Sequence, residues 1–417
     1  MSCLCKSFSV PSLSNLAIVV VVLLIIFLAY TPQFLFIHFE PGILSKAQKY
    51  WFNLLVFFTC WCYYKTCTVD AAPQGWVSRV FPNASKDGGK LAEEKMMVRW
   101  CNKCQYIKPP RAHHCKKCAK CVPKMDHHCP WISNCVSHLT FPHFIRFILY
   151  SVISTLILAY HLTIRLSVLW GKRNAPAYLG PPTWALLHLL VVVILNGVVL
   201  LSLSILLCRL IYGLVTNTTM IESWEIERHE ELVHRCRKTG GYVCAVGGER
   251  ILIEHQEFPY DIGVWKNLYQ TMGTRNIFMW FMPFGGAPTI ESAGNWEVNG
   301  FDDGDKFWPP LDPDKFKYHS RRQKDNGIKR DAERLDMSLI AFKARQNHDL
   351  KRRGHVRNPH VGSSLDDCRR SLSDCSYEEE IGIDGERGWT NSDGDRLRDF
   401  GVDEEEADLF KSKGKTT

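Results

Sequence analysis

The chain has 417 residues, a formal net charge of +8 and seventeen cysteines. This length is more than one compact domain usually holds. Long apolar runs in the first half and a charged final quarter exclude an ordinary soluble single-domain protein.

Four apolar runs lie in the first half of the chain, at residues 13–37, 50–69, 144–170 and 183–213. The first and fourth exceed the roughly 20 residues with which a helix spans a bilayer. The second is rich in aromatic residues, and the third carries His161 and Arg165 near its end. A single run would also fit a buried core helix. Four together predict an all-α integral membrane protein with four transmembrane helices. A cleaved signal peptide fits the first run poorly, because the run is long and lacks a clear small-residue cleavage site.

Basic residues concentrate between the second and third runs. Eleven lie between positions 86 and 124, whereas the loops 38–49 and 171–182 carry two each. By the positive-inside rule the long loop is expected to be cytosolic, and four spans then place both termini in the cytosol. The positive charge is therefore interpreted first as a topology signal, and nucleic-acid binding is the weaker interpretation.

Seven cysteines fall within residues 101–135, a density that in a reducing cytosolic loop indicates metal or thiol chemistry. Two quartets of identical spacing occur there, offset by fourteen residues. They are Cys101, Cys104, His114 and Cys121, and then Cys115, Cys118, His128 and Cys135. Three thiolates and one imidazole form the donor set of a closed tetrahedral zinc site. Two structural zinc ions are predicted; the alternatives are an iron–sulfur cluster or a single zinc with spare thiols.

A third copy of the spacing would begin at Cys129, but its second cysteine position is occupied by Ile132. Cys129 is therefore left without a metal. Asp126 and His127 precede it, so a nucleophilic thiol, an imidazole base and an orienting carboxylate stand close together in sequence. Two zinc sites would hold these groups in place. The alternative is an inert buried thiol, with His127 supporting a metal ligand.

The stretch HLTFPHFIRFILY leads from this loop into the third run, so Cys129 is expected near the cytosolic face of the bilayer. A thiolate there can attack a thioester whose acyl chain lies among the helices. Nearby basic residues would either meet the phosphates of coenzyme A or serve only as positive-inside charge. They are Arg99, Lys108 and Arg111.

The sequence DHHCPW, the cysteine array before it and the four runs resemble the DHHC family of protein S-acyltransferases, over roughly residues 10–285. The resemblance implies a two-step transfer of a long acyl chain, such as palmitate, from acyl-CoA to Cys129 and then to a client cysteine. It implies that His127 is the general base, that Asp126 orients it and that Trp131 lies near the acyl head. The residues that would face coenzyme A are Arg99, Lys108, Arg111 and His113.

Other family motifs match in part. FPYDIGVWKN carries Asn267 at the position of the family's structural asparagine, and NTTMIESWE aligns Glu222 with the family's T-T-x-E motif but places Met220 at its second threonine. VDAAPQG keeps only Asp70 of the family's D-P-G. Several stretches, including FPHFIRF and EFPYDIG, resemble a fungal endoplasmic-reticulum branch whose members acylate membrane cargo, notably a chitin synthase, for export. This implies a multi-pass protein of the endoplasmic-reticulum membrane.

Five regions are expected. They are transmembrane helices 1 and 2 (1–70), a cytosolic zinc domain (71–143), transmembrane helices 3 and 4 (144–213), a cytosolic domain packing under the bundle (214–310) and a mostly disordered tail (311–417). The expected partners are the lipid bilayer, acyl-CoA and membrane proteins with cytosolic cysteines, and no nucleic acid.

The alternative function is a non-catalytic membrane zinc scaffold or trafficking adaptor, in which Cys129 takes no part in a reaction.

Overall fold

The computed structural model describes residues 13–81, 99–176, 178, 180–238, 241–244, 250–300, 308–310, 391 and 396–402. The helices of these residues are α1 (Leu13–Leu35), α2 (Lys46–Thr68), α3 (Trp76–Val80), α4 (Phe141–Gly171), α5 (Thr183–Thr216), α6 (Met220–Lys238), α7 (Val264–Met272) and α8 (Ile277–Phe281). Short 3-10 turns lie at Phe36–His38, Ile290–Gly294 and Leu397–Phe400. All four apolar runs form long helices, as expected from their composition.

The long helices pack as a bundle. Helix α2 lies mainly against α4, α4 against α5, and α5 against α1. The outward face is apolar: Leu23 on α1 is 59% exposed, and Leu187 and Leu201 on α5 are each 64% exposed. A surface of this kind is stable only against lipid or another apolar partner.

Within the described residues, α1 (continued through the 3-10 turn to His38), α4 and α5 are long and apolar enough to cross a membrane. Helix α2 does not meet this measure, because its 23 residues include tyrosines, threonines and Lys65. It begins at a reciprocal capping box in which Ser45 and Gln48 satisfy each other's backbone N–H groups. At 1.5 Å per residue it is about 35 Å long, the length of a bilayer core.

Small antiparallel hairpins occupy the stretch between α3 and α4, so the fold is mostly rather than entirely helical. Their strands are β1 (Trp100–Cys101), β2 (Tyr106–Ile107), β3 (His113–Cys115), β4 (Lys120–Val122), β5 (His127–Cys129) and β6 (Asn134–Val136). The prediction of an all-α chain missed them because each strand has only two or three residues, too few for an alternating pattern. Trp76, Val122, Met125, Ile221 and Trp296 belong to the buried core around these hairpins.

The chain divides into two compact units. The first contains residues 1–231, 255–310 and 389–417, and it includes the bundle and the hairpins described above. The second contains residues 232–254 and 311–388. Its described part holds the end of α6 and a hairpin of β7 (Tyr242–Cys244) and β8 (Arg250–Leu252).

The tail beyond residue 310 was expected to be mostly disordered. Most of it lies outside the described residues. Within the tail, Arg396–Val402 is described, and Phe400 and Val402 are buried in the core around the hairpins.

Candidate functional site

Both cysteine–histidine quartets converge. The ligand atoms of Cys101, Cys104, His114 and Cys121 lie within 4.8 Å of one another, and so do those of Cys115, Cys118, His128 and Cys135. Nδ1 of His128 lies 3.5 Å from the sulfurs of Cys115 and Cys118. A tetrahedral zinc with ordinary Zn–S and Zn–N bonds separates its sulfur and nitrogen ligands by about 3.6 Å. Each cluster can therefore hold a metal ion, and the donor set suits zinc.

The fourteen-residue repeat of the sequence is also a repeat of structure. His114 pairs with Cys121 across β3 and β4, and His128 pairs with Cys135 across β5 and β6. Left-handed residues recur at the same spacing, at Gln105, Ala119 and Ser133 with φ of 58°, 53° and 51°. The third hairpin thus keeps the turn of a metal-binding hairpin while Ile132 replaces a ligand, and Cys129 occupies the position of the first ligand cysteine.

Cys129 lies at the end of β5, buried and outside both clusters. Nδ1 of His127 donates a hydrogen bond to Oδ2 of Asp126 over 2.8 Å, so Nε2 is the ring nitrogen left for the thiol. Burial alone would lower the pKa of His127. Hydrogen bonds to Asp126 and Cys129, together with their negative charges, raise it instead to about 10. The carboxylate, imidazole and thiol are therefore joined in one chain of contacts.

The start of helix α6 holds the carboxylate of Asp126. The backbone N–H of Met220 donates to Oδ1 of Asp126 over 2.6 Å. Thr219 and Glu222 form a reciprocal capping box, in which each side chain accepts from the other's backbone N–H. The departure from T-T-x-E is thus accommodated, since Thr219 caps the helix and a main-chain group of Met220 reaches Asp126.

Glu222 also anchors Arg111. The guanidinium of Arg111 donates to both carboxylate oxygens of Glu222, over 2.6 and 2.7 Å. It also lies against the rings of Tyr260 and Trp296, at 4.5 and 4.8 Å from their centroids. A bidentate, fully buried pair of this kind fixes α6 to the hairpins.

Lys124 and Asn217 extend this buried network. Lys124 Nζ donates to Oδ1 of Asn217 over 2.6 Å and to Oγ1 of Thr271 over 3.0 Å. Asn217 ends α5 in a left-handed conformation and donates to the carbonyl of Tyr260. Burial and the charge of Arg111 hold the pKa of Lys124 well below its usual range, although Glu222 and Asp126 oppose this. The network joins the bundle to the segment that carries Asp126.

Asn267 is fully buried, and both the amide nitrogen and the oxygen of its side chain form hydrogen bonds with the main chain. Its amide donates to the carbonyl of Val215 and to Asp261, and its oxygen accepts from the N–H of Ile262. The contacts tie α7 to the end of α5, as expected of a structural asparagine.

The residues predicted to face coenzyme A separate into two groups. Arg99 is half-buried and bonds the carbonyl of Ala112 and the ring of His113, and Lys108 is also half-buried. His113 itself is buried, 4.0 Å from Glu225. Arg111 differs from these residues in that its guanidinium is fully buried and hydrogen-bonded to Glu222 and Asn217.

Apolar side chains of the bundle surround the thiol. Cys129 belongs to a buried cluster with Tyr63 of α2, Phe144 and Phe147 of α4 and Leu210 of α5. Trp131 is 58% exposed, and its carbonyl accepts a hydrogen bond from the hydroxyl of Tyr63. The thiol thus lies where the hairpins meet the helices, in apolar surroundings.

Sequence reasoning missed Lys124, Asn217 and the N–H of Met220. By sequence, Lys124 is one of the eleven basic residues that indicate topology. Its position between the apolar residues Val122 and Met125, which are both buried, is the one local signal of its burial. Asn217 and the main-chain group of Met220 carry no motif that would have identified their partners, which lie about ninety positions away.

Comparison with known proteins gives consistent results. A family model described as DHHC palmitoyltransferase matches residues 94–227, which include both clusters and Cys129. Palmitoyltransferase pfa4 of Aspergillus fumigatus is 46% identical over 420 residues, covering 96% of this chain and 95% of that protein. Palmitoyltransferase PFA4 of Gibberella zeae is 44% identical over 95% of this chain and 90% of its own length. Palmitoyltransferase pfa4 of Neurospora crassa is 38% identical over 96% of this chain and 88% of its own length.

Proposed function

Because this chain belongs to the DHHC palmitoyltransferase family and is therefore an acyltransferase, we propose that it carries a long acyl chain from acyl-CoA to client cysteines through Cys129. The observation that supports this best is the position of Cys129. Its thiol is outside both metal clusters, close enough to the imidazole of His127 to raise the pKa of that ring, and surrounded by apolar side chains of the bundle. A metal ligand or an inert core thiol would not need an imidazole that is itself held by a carboxylate.

In the first half-reaction the Cys129 thiolate attacks the thioester carbonyl carbon of acyl-CoA. The bond between that carbon and the coenzyme A sulfur breaks, and the leaving thiolate takes a proton from the imidazolium of His127. The product is an acyl thioester on Cys129 beside a neutral imidazole. Asp126 keeps Nδ1 protonated throughout, so Nε2 is the nitrogen that exchanges the proton.

In the second half-reaction a client cysteine attacks the acyl carbonyl on Cys129. Neutral His127 takes the client thiol's proton, the bond from the acyl carbon to the Cys129 sulfur breaks, and the thiolate–imidazolium pair is restored. The two half-reactions form a ping-pong cycle in which no proton is gained or lost overall.

The two clusters are proposed to hold one structural zinc ion each. Their role would be to fix three consecutive hairpins that have little apolar core of their own, and so to hold β5 in position. The half-buried Arg99 and Lys108 are proposed to contact the phosphates of coenzyme A, as basic side chains at the rim of the site.

We also propose that α2 is a fourth transmembrane span and that the hairpins face the cytosol. Helix α2 packs along the membrane-length helix α4 and has the length of a bilayer core. Eleven basic residues between positions 86 and 124 support a cytosolic side for the hairpins, and with four spans both termini are proposed to be cytosolic too. From the resemblance of stretches such as FPHFIRF and EFPYDIG to a fungal endoplasmic-reticulum branch, the membrane is proposed to be the endoplasmic reticulum, and the clients to include a chitin synthase.

The enzymatic proposal is tested by incubating the purified full chain in lipid nanodiscs with labelled palmitoyl-CoA. Wild-type protein should gain label that neutral hydroxylamine removes, and Cys129→Ser should not. Cys208→Ser, which changes an exposed cysteine on α5, is the matched control and should label normally. Equal label in wild type and Cys129→Ser would disprove the acyl-enzyme.

A further inference from the structure

Local hydrogen bonds hold the segment Arg396–Val402, called the tail clamp, in a defined turn. A 3-10 turn covers Leu397–Phe400. The carboxylate of Asp399 accepts from the N–H of Arg396 over 2.7 Å, and the N–H of Gly401 donates to the carbonyl of Arg398 over 2.9 Å. These local bonds shape the turn and present Phe400 and Val402 together.

The tail clamp binds the second cluster through its main chain. The N–H of Lys116, which lies between two ligand cysteines, donates to the carbonyl of Gly401 over 3.0 Å. Val402 forms an antiparallel bridge with Cys115. Phe400 and Val402 are 5% and 6% exposed, in the same core cluster as Cys115 and Cys135. The contact therefore combines strand pairing with two apolar anchors.

Gly401 lies directly against the histidine ligand. Its φ is +80°, and a Cβ atom there would come 2.8 Å from Cβ of His128. Only glycine satisfies both the left-handed conformation and this close approach without displacement. The contacts of the tail clamp described here fall on Cys115, His128 and Lys116, all in or beside the second cluster.

From this geometry we propose that the tail clamp is an intramolecular seal on the second metal cluster, which slows metal loss and stiffens the strand that carries Cys129. A metal leaves a thiolate site when a ligand dissociates and a competing ligand enters. A backbone lying over His128 and paired to Cys115 hinders both steps. The end of the chain, far from the site in sequence, thereby controls how long the site keeps its metal. The inference rests on the metal binding proposed above and does not depend on acyl transfer.

The test compares metal retention at the two clusters within one molecule. The zinc-loaded full chain in nanodiscs is mixed with excess EDTA, sampled over time, and pulsed with N-ethylmaleimide. Mass spectrometry of its peptides then gives separate rates for the first-cluster thiols (Cys101, Cys104 and Cys121) and the second-cluster thiols (Cys115, Cys118 and Cys135). The first cluster is the internal reference.

Two variants weaken the tail clamp: Gly401→Val by steric clash, and Phe400→Ser by removing an apolar anchor. Each variant should accelerate modification of the second-cluster thiols by about tenfold and leave the rate at the first cluster unchanged. A tenfold change is expected from losing the burial of one apolar side chain. Gly300→Val is the matched control, because Gly300 also has positive φ but open space around its Cβ position. A synthetic peptide of residues 391–405 should restore protection to Phe400→Ser.

Unchanged second-cluster rates in both variants would overturn the seal. Equal acceleration at both clusters would also overturn it, because that pattern reports general destabilisation. Wild-type protein that holds fewer than two zinc ions per chain before EDTA is added would instead refute the metal assignment itself.

Discussion

The backbone N–H of Met220 donates to Oδ1 of Asp126 over 2.6 Å, so the first turn of α6 holds the carboxylate that orients His127. The helix N-terminus adds a favourable partial positive charge at the same point. A main-chain donor cannot be lost by substitution with any residue except proline, which explains how Met220 is tolerated at a motif position.

Met220→Pro should lower the rate of Cys129 acylation without unfolding α6. Proline is well accepted at the first position of a helix, where it removes only the N–H. Loss of a hydrogen bond to a charged group costs about 1.5–3 kcal/mol, which predicts roughly a tenfold to hundredfold slower single turnover with palmitoyl-CoA. Met220→Leu keeps the N–H and the volume and should be near normal. Equal rates in the two variants would show that the contact does not matter.

The buried Arg111–Glu222 pair predicts a non-additive loss of stability. Glu222→Gln leaves the Arg111 charge without its partner, and breaking a buried pair costs about 3–5 kcal/mol. Adding Arg111→Met removes the stranded charge, so the double variant should be less destabilised than the sum of the single variants. Unfolding in detergent, followed by tryptophan fluorescence, measures this.

The control for that cycle is the exposed pair Lys266–Glu297, whose side chains are 59% and 55% exposed. Lys266→Met should change stability by no more than about 1 kcal/mol. Strict additivity at Arg111 and Glu222 would contradict the view that the two charges depend on each other.

His138 predicts a pH dependence of stability. Burial and the charges of Lys124 and Arg111 lower the pKa of His138 to about 3. A hydrogen bond to the main chain of Thr289 acts in the opposite direction but is the smaller effect. The unfolded chain, with a pKa near 6.5, then binds a proton that the folded chain does not. Stability is therefore lost as pH falls below about 6.5, and the loss grows toward pH 3. His138→Gln, whose amide can still reach Ser292, should show a flatter decline between pH 6.5 and 4.

The comparison uses the difference between wild type and His138→Gln at each pH, because metal ligands titrate in both proteins. Thermal unfolding midpoints in one detergent supply the measurement. Parallel curves over this range would show that His138 is not kept neutral by the fold.

The metal clusters and the surplus thiol could be predicted from sequence because they follow a local rule. The fourteen-residue spacing reflects one hairpin repeated, and Ile132 marks where the repeat loses its ligand. The family resemblance drawn from DHHCPW is confirmed by the relatives.

The partners of Arg111 and Lys124 could not be predicted, since they lie 111 and 93 positions away and nothing local specifies the pairing. Gly401 and His128, which lie against each other, are even farther apart in sequence. The charged, glycine-rich tail also gives no periodic signal of burial.

Replacing Cys115 and replacing Cys129 should separate structure from chemistry. The sulfur of Cys115 lies 3.5 Å from Nδ1 of His128 within the second cluster, so Cys115→Ala should reduce bound zinc from two toward one per chain and lower the unfolding midpoint. Cys129 belongs to neither cluster, so Cys129→Ser should retain both zinc ions and a near-normal midpoint while losing turnover. Atomic emission after gel filtration gives the zinc content, and unfolding in the same buffer gives the midpoint. If both variants lose zinc to the same extent, Cys129 takes part in metal binding and the division between two closed clusters and one free nucleophile is wrong.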